Sequence, residues 1–505
     1  MATPVTLTPV GDPWPERSSW PDHLYPLHGP DFARDPFTYY DNLRRHVGPV
    51  VPVSLEESHS IRGYLVIDHA IQLDILRNQR QIWTRDPRWY RDLAEGALPA
   101  GHPLIAQFAY RRSRLCSEGA EHAQLSGPGN KALARLDMLR TRDLIEELAD
   151  QLIDSFFPDG QPADVNEIDI LDRYALQLPL LVLMRLTGME EHSALTAGTA
   201  IQEMLSGSAG AQRAAEELAV LMSDLVEHKR KEPGADLVSW MHHYNASGEA
   251  EPLTARELSE DIWLQIVAGR GASTTWICNT VLELMTNERL NEDVIAARCS
   301  MDQAMNHVMW TNAPIQNLIG RWATEPTWLG GYRIGTGDMA IIGLGASGAD
   351  PAMRAVGLDT SRTNNAHLAW GAGTHGCPAP ARELGALIVR TGLERLWDRL
   401  PHMELAVPEE RLDWAMPHIA RMPTALPVRF PRPPADQPNG ESEEWTVTST
   451  PRPAATEPIP PQQQHTSPFT SSPPRTISTA GKDEPSGPRG LLPRWRSLVA
   501  WWPKR

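Results

Sequence analysis

The stretch His367-Leu-Ala-Trp-Gly-Ala-Gly-Thr-His-Gly-Cys-Pro378 carries the strongest chemical signal in the chain. Its glycines let the backbone approach a ligand closely and present N–H groups to a sulfur anion. Apolar residues recur at helical spacing from Leu384 to Thr391, so Cys377 stands where a helix begins, and the helix dipole there stabilises a thiolate. Pro378 and Pro380 fall in the first turn, where a missing N–H costs little. A single cysteine is most often a small buried hydrophobe, but these features together indicate a thiolate that binds a metal.

Two parts of the chain match the dinucleotide-binding pattern G-x-G-x-x-G, at Gly343–Gly348 and at Gly371–Gly376. Such a site needs its glycines at the start of a helix inside a βαβ unit, with an acid about 20 residues later. Asp350-Pro351 interrupts the chain soon after the first match, and no βαβ pattern continues beyond the second. We therefore interpret neither match as a nucleotide site.

The cysteine stretch resembles the haem-binding loop of cytochrome P450 enzymes, whose pattern is Phe-Gly-x-Gly-x-His-x-Cys-x-Gly. Trp370 stands for the Phe and Ala379 for the final Gly, and four positions are identical: Gly371, Gly373, His375 and Cys377. The resemblance covers about residues 20–430 and is closest to soluble actinobacterial members. It implies haem b (iron protoporphyrin IX) as cofactor, Cys377 as the iron ligand, and Trp370 and Gly371 among the residues that bind the cofactor.

The resemblance also implies which residues hold the haem propionates. Arg321–Glu325, followed by Leu329–Ile334, looks like the family segment that sends an Arg, here Arg321, to a propionate. His122 stands where a second propionate ligand is expected, and His375 would be a third. Electrons would come from NAD(P)H through a reductase and a ferredoxin, and one oxygen atom of O2 would enter a hydrophobic small molecule.

One departure from the family pattern concerns an ion pair. The family carries Glu-x-x-Arg on a helix, where i and i+3 share a face and pair with a later Arg. The sequence here reads His307-Val-Met-Trp310, while the later Arg remains as Arg362. Well-packed residues can replace a buried ion pair at little cost, so the fold can survive. We expect Trp310 and His307 to fill the space and Arg362 to find carbonyls or water.

A second departure concerns proton delivery. Family members have Ala-Gly-x-Asp/Glu-Thr in a long central helix, whereas residues 268–275 read Ala-Gly-Arg-Gly-Ala-Ser-Thr-Thr. Gly271 therefore replaces the acid and Ala272 the alcohol, and well-placed proton donors are worth about 10² to 10⁴ in rate. The hydroxyls of Ser273 and Thr275 are our candidate catalytic groups. The alternative, that they only cap helix carbonyls, stays open.

A third departure lies at His122–Ser126, where close relatives carry arginines and this chain has none, so weaker haem retention is expected. The family resemblance and the three departures from it together leave two classes of function. The first is a monooxygenase. The second is a catalytically degenerate haem-binding sensor or signalling partner, and a peroxygenase lies between them.

The composition is that of a globular protein. Of 505 residues, 41% are hydrophobic and 22% charged, and the net charge of -16 argues against a nucleic-acid partner. Four cysteines without a CxxC pair indicate a reducing compartment, and residues 1–36 lack the apolar core of a signal peptide. We therefore expect a cytoplasmic protein.

Helical patterns dominate the first 430 residues. Apolar spacing predicts helices over 137–156, 211–231 and 258–285, the last apolar on all sides and so buried. Strand patterns are few: 64–67, 327–334 and 339–342. We predict a mainly α fold with a small β-sheet region, of cytochrome P450 type, forming one haem domain over 1–430 with a single core.

The C-terminal part differs in kind. Residues 431–489 are rich in proline and almost free of aliphatic side chains, so we predict a disordered linker. Residues 490–505 are basic and rich in tryptophan, with apolar side chains on one helical face. Such a segment is typical of contacts with an anionic membrane surface or a partner groove; the alternative is a flexible end with incidental tryptophans.

Overall fold

The computed structural model describes residues 20–98, 102, 108, 110–157, 165–205, 210–248, 251–354, 362–414 and 419–431. All of these belong to the first of two units, which runs from Met1 to Arg432. The predicted linker, apart from Pro431, and the predicted basic segment lie outside the described residues, so both remain predictions.

Helices make up most of the described chain. They are α1 (Pro30–Arg34), α2 (Pro36–His46), α3 (His69–Arg77), α4 (Arg91–Ala94), α5 (Gly119–Ala134), α6 (Met138–Asp154), α7 (Gln177–Thr187), α8 (Glu191–Leu205), α9 (Ala211–Lys231), α10 (Leu237–Ala246), α11 (Ala255–Thr286), α12 (Glu288–Ile295), α13 (Met301–Thr311), α14 (Leu344–Gly348), α15 (Pro351–Arg354) and α16 (Ala379–Arg399). The predicted helices correspond to α6, α9 and α11. The mainly α prediction is thus confirmed.

The strands form three sheets. They are β1 (Tyr25–Pro26), β2 (Val50–Ser54), β3 (Arg62–Val66), β4 (Trp83–Thr84), β5 (Val165–Asp169), β6 (Leu318–Ala323), β7 (Thr327–Leu329), β8 (Tyr332–Ile334), β9 (Met339–Ile342), β10 (Glu404–Leu405) and β11 (Pro427–Pro431). The largest sheet has the order β1-β2-β3-β9-β6-β4, and the others are β10-β11-β5 and the hairpin β7-β8. In the largest, β4 runs antiparallel to β6 with Thr84 opposite Trp322, a register that matters for the site.

The long helix α11 is the centre of the helical part. It begins with a capping box between Thr254 and Glu257, which satisfies free N–H groups at its first turn. Ile262, Ile266 and Ile277 are buried in the cluster that α11 forms with the neighbouring helices. The helix is buried because its apolar residues surround it, as its sequence predicted.

The buried side chains form more than the single core that we expected. One large cluster fills the helical part, and two smaller clusters cover the two faces of the six-stranded sheet. On β3, Leu65 faces one small cluster while Tyr64 and Val66 face the other. The cause is the alternation of side chains along a strand, which a sheet buried on both faces divides between two cores. Within the described ranges, no helix has an apolar stretch that could cross a bilayer.

Candidate functional site

The loop before α16 has a backbone that only glycine accommodates easily. Gly371 and Gly373 have φ angles of 67° and 69°, in the left-handed region. A Cβ at Gly373 would clash with the carbonyl oxygen of Leu76, so the loop also packs too closely for a side chain. The amide of Cys377 donates to the carbonyl of Trp370 at 2.8 Å, which fixes the turn that carries the thiol. Pro378 is the N-cap of α16, one residue earlier than predicted, and Pro380 lies in its first turn.

Cys377 differs from the other three cysteines, which are buried while Cys377 is partly exposed. Burial of the thiol raises its pKa to about 11, although the charges of Arg382 and Arg114 oppose this. A cation bound at the sulfur would favour the thiolate. Among the described residues no three His, Cys, Asp or Glu side chains are grouped as metal ligands. A metal with a single protein ligand, such as haem iron, therefore fits Cys377 better than a bare ion does.

Two arginines, Arg321 and the partly buried Arg85, lie beside this loop. Arg321, on β6, is 2% exposed, and burial together with the charge of Arg85 lowers its pKa to about 9. The Nε atoms of Arg321 and Arg85 are both buried without an acceptor in the described part of the chain. Buried cations with free donors are what a carboxylate ligand requires. The pair therefore fits the haem propionates.

Sequence analysis identified Arg321 but missed Arg85. Arg85 follows β4, and since Thr84 pairs with Trp322, the next position in register lies opposite Arg321. This antiparallel pairing joins segments that are far apart in the chain. No signal in the sequence indicates that register, so only the structure could bring the two arginines together.

The predicted histidines lie side by side. The rings of His122, on α5, and His375 meet edge to face, with centroids 4.8 Å apart. Burial lowers the pKa of His375 to about 4 and also lowers that of His122. The Nε2 atom of His375 lies 2.9 Å from Oε2 of Glu118, a residue that sequence analysis did not single out. The structure thus brings His122, His375 and Arg321 into one region with Glu118 and Arg85.

Trp370 and Gly371 lie in the same loop. The indole of Trp370 meets that of Trp276, on α11, edge to face with ring centroids 5.4 Å apart. This contact joins the cysteine loop to the central helix. Gly371 donates from its amide to the carbonyl of Leu368 at 2.7 Å and so closes the turn.

The face of α11 around residue 271 carries no acid. Ala268 is exposed although it lies in the middle of the helix, and Gly271 and Ala272 are partly exposed, so this face borders open space inside the protein. The Thr275 hydroxyl donates to the carbonyl of Gly271 at 3.1 Å and lies 3.7 Å from the sulfur of Met422. Ser273 is buried, and its position two residues after Gly271 puts it well round the helix from this face.

The residues that replace the family ion pair form other contacts. The indole N–H of Trp310 donates to the carbonyl of Asn364 at 2.7 Å, and His307 pairs with Glu283, on α11, at 3.3 Å. We had expected carbonyls or water as partners of Arg362. Instead, Arg362 forms an ion pair with Asp293, on α12, at 2.8 Å. A neighbouring acid has replaced the missing glutamate as its partner.

Comparison with known proteins identifies relatives along most of the chain. No family model matches it. The mycinamicin IV hydroxylase/epoxidase of Micromonospora griseorubida is 32% identical over 327 residues, 62% of this chain and 79% of that protein. The cytochrome P450 monooxygenase PikC of Streptomyces venezuelae is 27% identical over 413 residues, 80% of this chain and 93% of that one. Among solved structures, CYP154C4 from Streptomyces sp. W2061 superposes with a TM-score of 0.71 and 27% identity, covering 80% of this chain and 97% of the other.

Proposed function

Since the chain belongs to the cytochrome P450 superfamily of haem-thiolate monooxygenases, we propose that it inserts one oxygen atom from O2 into a hydrophobic small molecule. Its cofactor is haem b. The observation that carries the proposal is the joint placement of Cys377, in a glycine-shaped loop, and the guanidiniums of Arg321 and Arg85, whose Nε atoms are buried.

The residues divide into those that hold the cofactor and those that face oxygen. Cys377 would ligate the iron, and Arg321, Arg85, His122 and His375 would bind the propionates. When bound, the haem supplies electron transfer and oxygen activation, which a thiolate ligand favours.

The hydroxyls of Ser273 and Thr275 remain our candidates for moving protons on the distal side. Thr275 is the better placed of the two, because it shares a helix face with Gly271. To take part, its hydroxyl must release the Gly271 carbonyl and donate toward the distal side instead. We therefore expect slow oxygen activation compared with a member that keeps the acid and the alcohol.

A spectrum tests the central claim. The reduced protein exposed to CO should show a thiolate-type Soret shift, and Cys377→Ala should abolish it. Cys299→Ala is the matched control, since Cys299 is buried and distant in sequence from the loop, and it should leave the shift intact. A shift that survives in Cys377→Ala would contradict the assignment of the iron ligand.

The names of two relatives support the proposed class of substrate. PikC is named as a monooxygenase and PksS of Bacillus subtilis as a polyketide biosynthesis cytochrome P450, which supports a hydrophobic substrate of polyketide type. We propose a ferredoxin and its reductase as electron donors and the cytoplasm as the location. Product formation that depends on NADPH and on surrogate partners is the expected result; its absence across a broad substrate panel would count against a monooxygenase.

The replacement of the acid and the alcohol by Gly271 and Ala272 supports a second candidate. The protein could act as a haem-binding sensor or signalling partner, or as a peroxygenase, which takes its oxygen already reduced. Turnover with hydrogen peroxide but not with NADPH would identify a peroxygenase. Ligand-induced Soret shifts without turnover from either source would identify a sensor.

A further inference from the structure

An acidic side chain lies inside the group of basic residues that should receive the propionates. Glu118 is the N-cap residue of α5, yet its carboxylate makes no capping bond to that helix. One oxygen, Oε2, instead lies 2.9 Å from Nε2 of His375, and the other accepts from the backbone N–H of Arg85 at 2.9 Å. Glutamate is not among the residues that commonly cap helix N-termini, so no local bond holds its side chain away from His375 and Arg85.

The charges around Glu118 explain why it lies there. Burial opposes ionisation of its carboxyl, but the hydrogen bond with His375 and the charge of Arg321 outweigh this, and its pKa lies below the ordinary value. Arg321 and Arg85 keep buried Nε donors without an acceptor within the described residues. The carboxylate of Glu118 therefore neutralises only part of the positive charge of this region.

The contact with His375 limits what the imidazole can offer to another carboxylate. A neutral imidazole has one N–H group. In His375 this group is at Nε2, where it donates a hydrogen bond to the carboxylate of Glu118. While that contact holds, the remaining nitrogen, Nδ1, is an acceptor and cannot donate to a propionate, so His375 binds a propionate only when Glu118 releases it. A propionate that approaches His375 also approaches the like charge of Glu118, and such a juxtaposition weakens binding.

We propose that Glu118 is a positioning residue that competes with the haem propionates for His375 and for the charge of Arg321 and Arg85, and that it sets how firmly the protein retains haem. The proposal rests on the haem binding proposed above. It adds a specific cause for weak retention to the absence of arginines at His122–Ser126.

Haem transfer to excess apomyoglobin, followed in the Soret band, tests the proposal on the full-length ferric holoprotein. Glu118→Gln keeps the size of the side chain and removes its charge, so we expect haem loss to slow about tenfold. Glu118→Ala, which also frees His375, should slow it too. A merely structural role for Glu118 predicts faster loss in both variants, because the loop around His375 would loosen.

The control is Glu121→Gln, one turn further along α5. Glu121 pairs with Arg112 at 2.9 Å, so the substitution removes the same charge from the same helix without touching His375. We expect its haem loss to equal that of the wild type. Unchanged or faster loss in both Glu118 variants would overturn the proposal. If the wild type binds no haem with a thiolate-type CO spectrum, the proposed function fails instead, so the two failures are distinguishable.

Discussion

Arg270 is a buried cation in the middle of α11. It is 4% exposed, and burial alone lowers its pKa to about 10. Its Nε has no hydrogen-bond partner in the part of the chain that the structure describes. This lowered pKa corresponds to on the order of 3 kcal/mol against the charged side chain in the fold.

We therefore expect Arg270→Met to raise the free energy of unfolding by about 1–3 kcal/mol, because methionine fills much of the volume without a charge. Thermal and urea unfolding of the holoprotein measure the change. Arg289→Met, at an exposed position on α12, is the control and should stay within about 0.5 kcal/mol of wild type. A loss of stability in Arg270→Met would show that the guanidinium has a compensating partner.

At the residue scale, the parts of the site that sequence could predict are those within one local pattern. Cys377 and His375 belong to a single loop whose glycines constrain the backbone, and the family resemblance adds Arg321 and His122. Nothing in the sequence around Glu118 reveals that its carboxylate turns toward His375. Long-range contacts of this kind depend on tertiary packing, which cannot be predicted from the local pattern of a single sequence.

At the scale of elements, the packing of α5 requires a glycine at position 129 but not at position 127. A Cβ at Gly129 would clash with the Asp261 carboxylate and the Arg114 guanidinium, which form a buried ion pair between α11 and the segment before α5. A Cβ at Gly127 meets no atom within 4 Å. Both glycines lie inside the same helix, on either side of Pro128, so their alanine variants differ in this clash and in the crowding that a Cβ before a proline meets.

We expect Gly129→Ala to lower the free energy of unfolding by about 2–4 kcal/mol, because the ion pair must separate in a buried place. Gly127→Ala should change it by less than about 1 kcal/mol, because the gain in helix propensity is opposed by crowding between the new Cβ and Pro128. Chemical unfolding of the two holoproteins gives both values. Equal effects at the two positions would contradict the packing that the structure places at Gly129.

The elements themselves were predicted with different success. α9 begins and ends where its sequence predicted, because its apolar stripe is regular and Pro233-Gly234 follows it. The short strands β1, β4 and β10 were missed, since two residues are too few for alternation to be visible.

At the scale of the whole molecule, Arg421 joins parts of the first unit that are distant in sequence. Its guanidinium donates to the carbonyls of Ala33 and Arg34 at 3.1 and 2.7 Å and stacks 3.5 Å from the ring centroid of Trp414. We expect Arg421→Lys to lose about 2–4 kcal/mol of stability, because an ammonium cannot reach both carbonyls and stack at once. The melting temperature measures this, with the exposed Arg411→Lys as control. Unchanged melting in Arg421→Lys would show that charge alone suffices.

The basic segment 490–505 is a prediction from sequence, since it lies outside the described residues. If the segment forms a helix, its spacing puts Trp495, Leu498, Val499 and Trp502 on one face, and the sequence places four cations near them: Arg494, Arg496, Lys504 and Arg505. Each cation near an anionic bilayer contributes about 1 kcal/mol, and the tryptophans favour its interface.

We propose that this segment binds anionic membrane surfaces, and we expect deletion of 490–505 to abolish sedimentation with phosphatidylserine-containing vesicles. Binding by the full chain should weaken at high salt and be lost on purely zwitterionic vesicles, because the attraction to the surface is electrostatic. A variant that lacks residues 460–475 removes an equally long piece of the linker, keeps the basic segment, and should still bind. Haem content should be the same in all three proteins, so that any difference reports on the segment itself.

If the chain without 490–505 binds as well as the full chain, the membrane proposal is wrong. If the full chain binds neither kind of vesicle, a partner groove becomes the better explanation of the tryptophans.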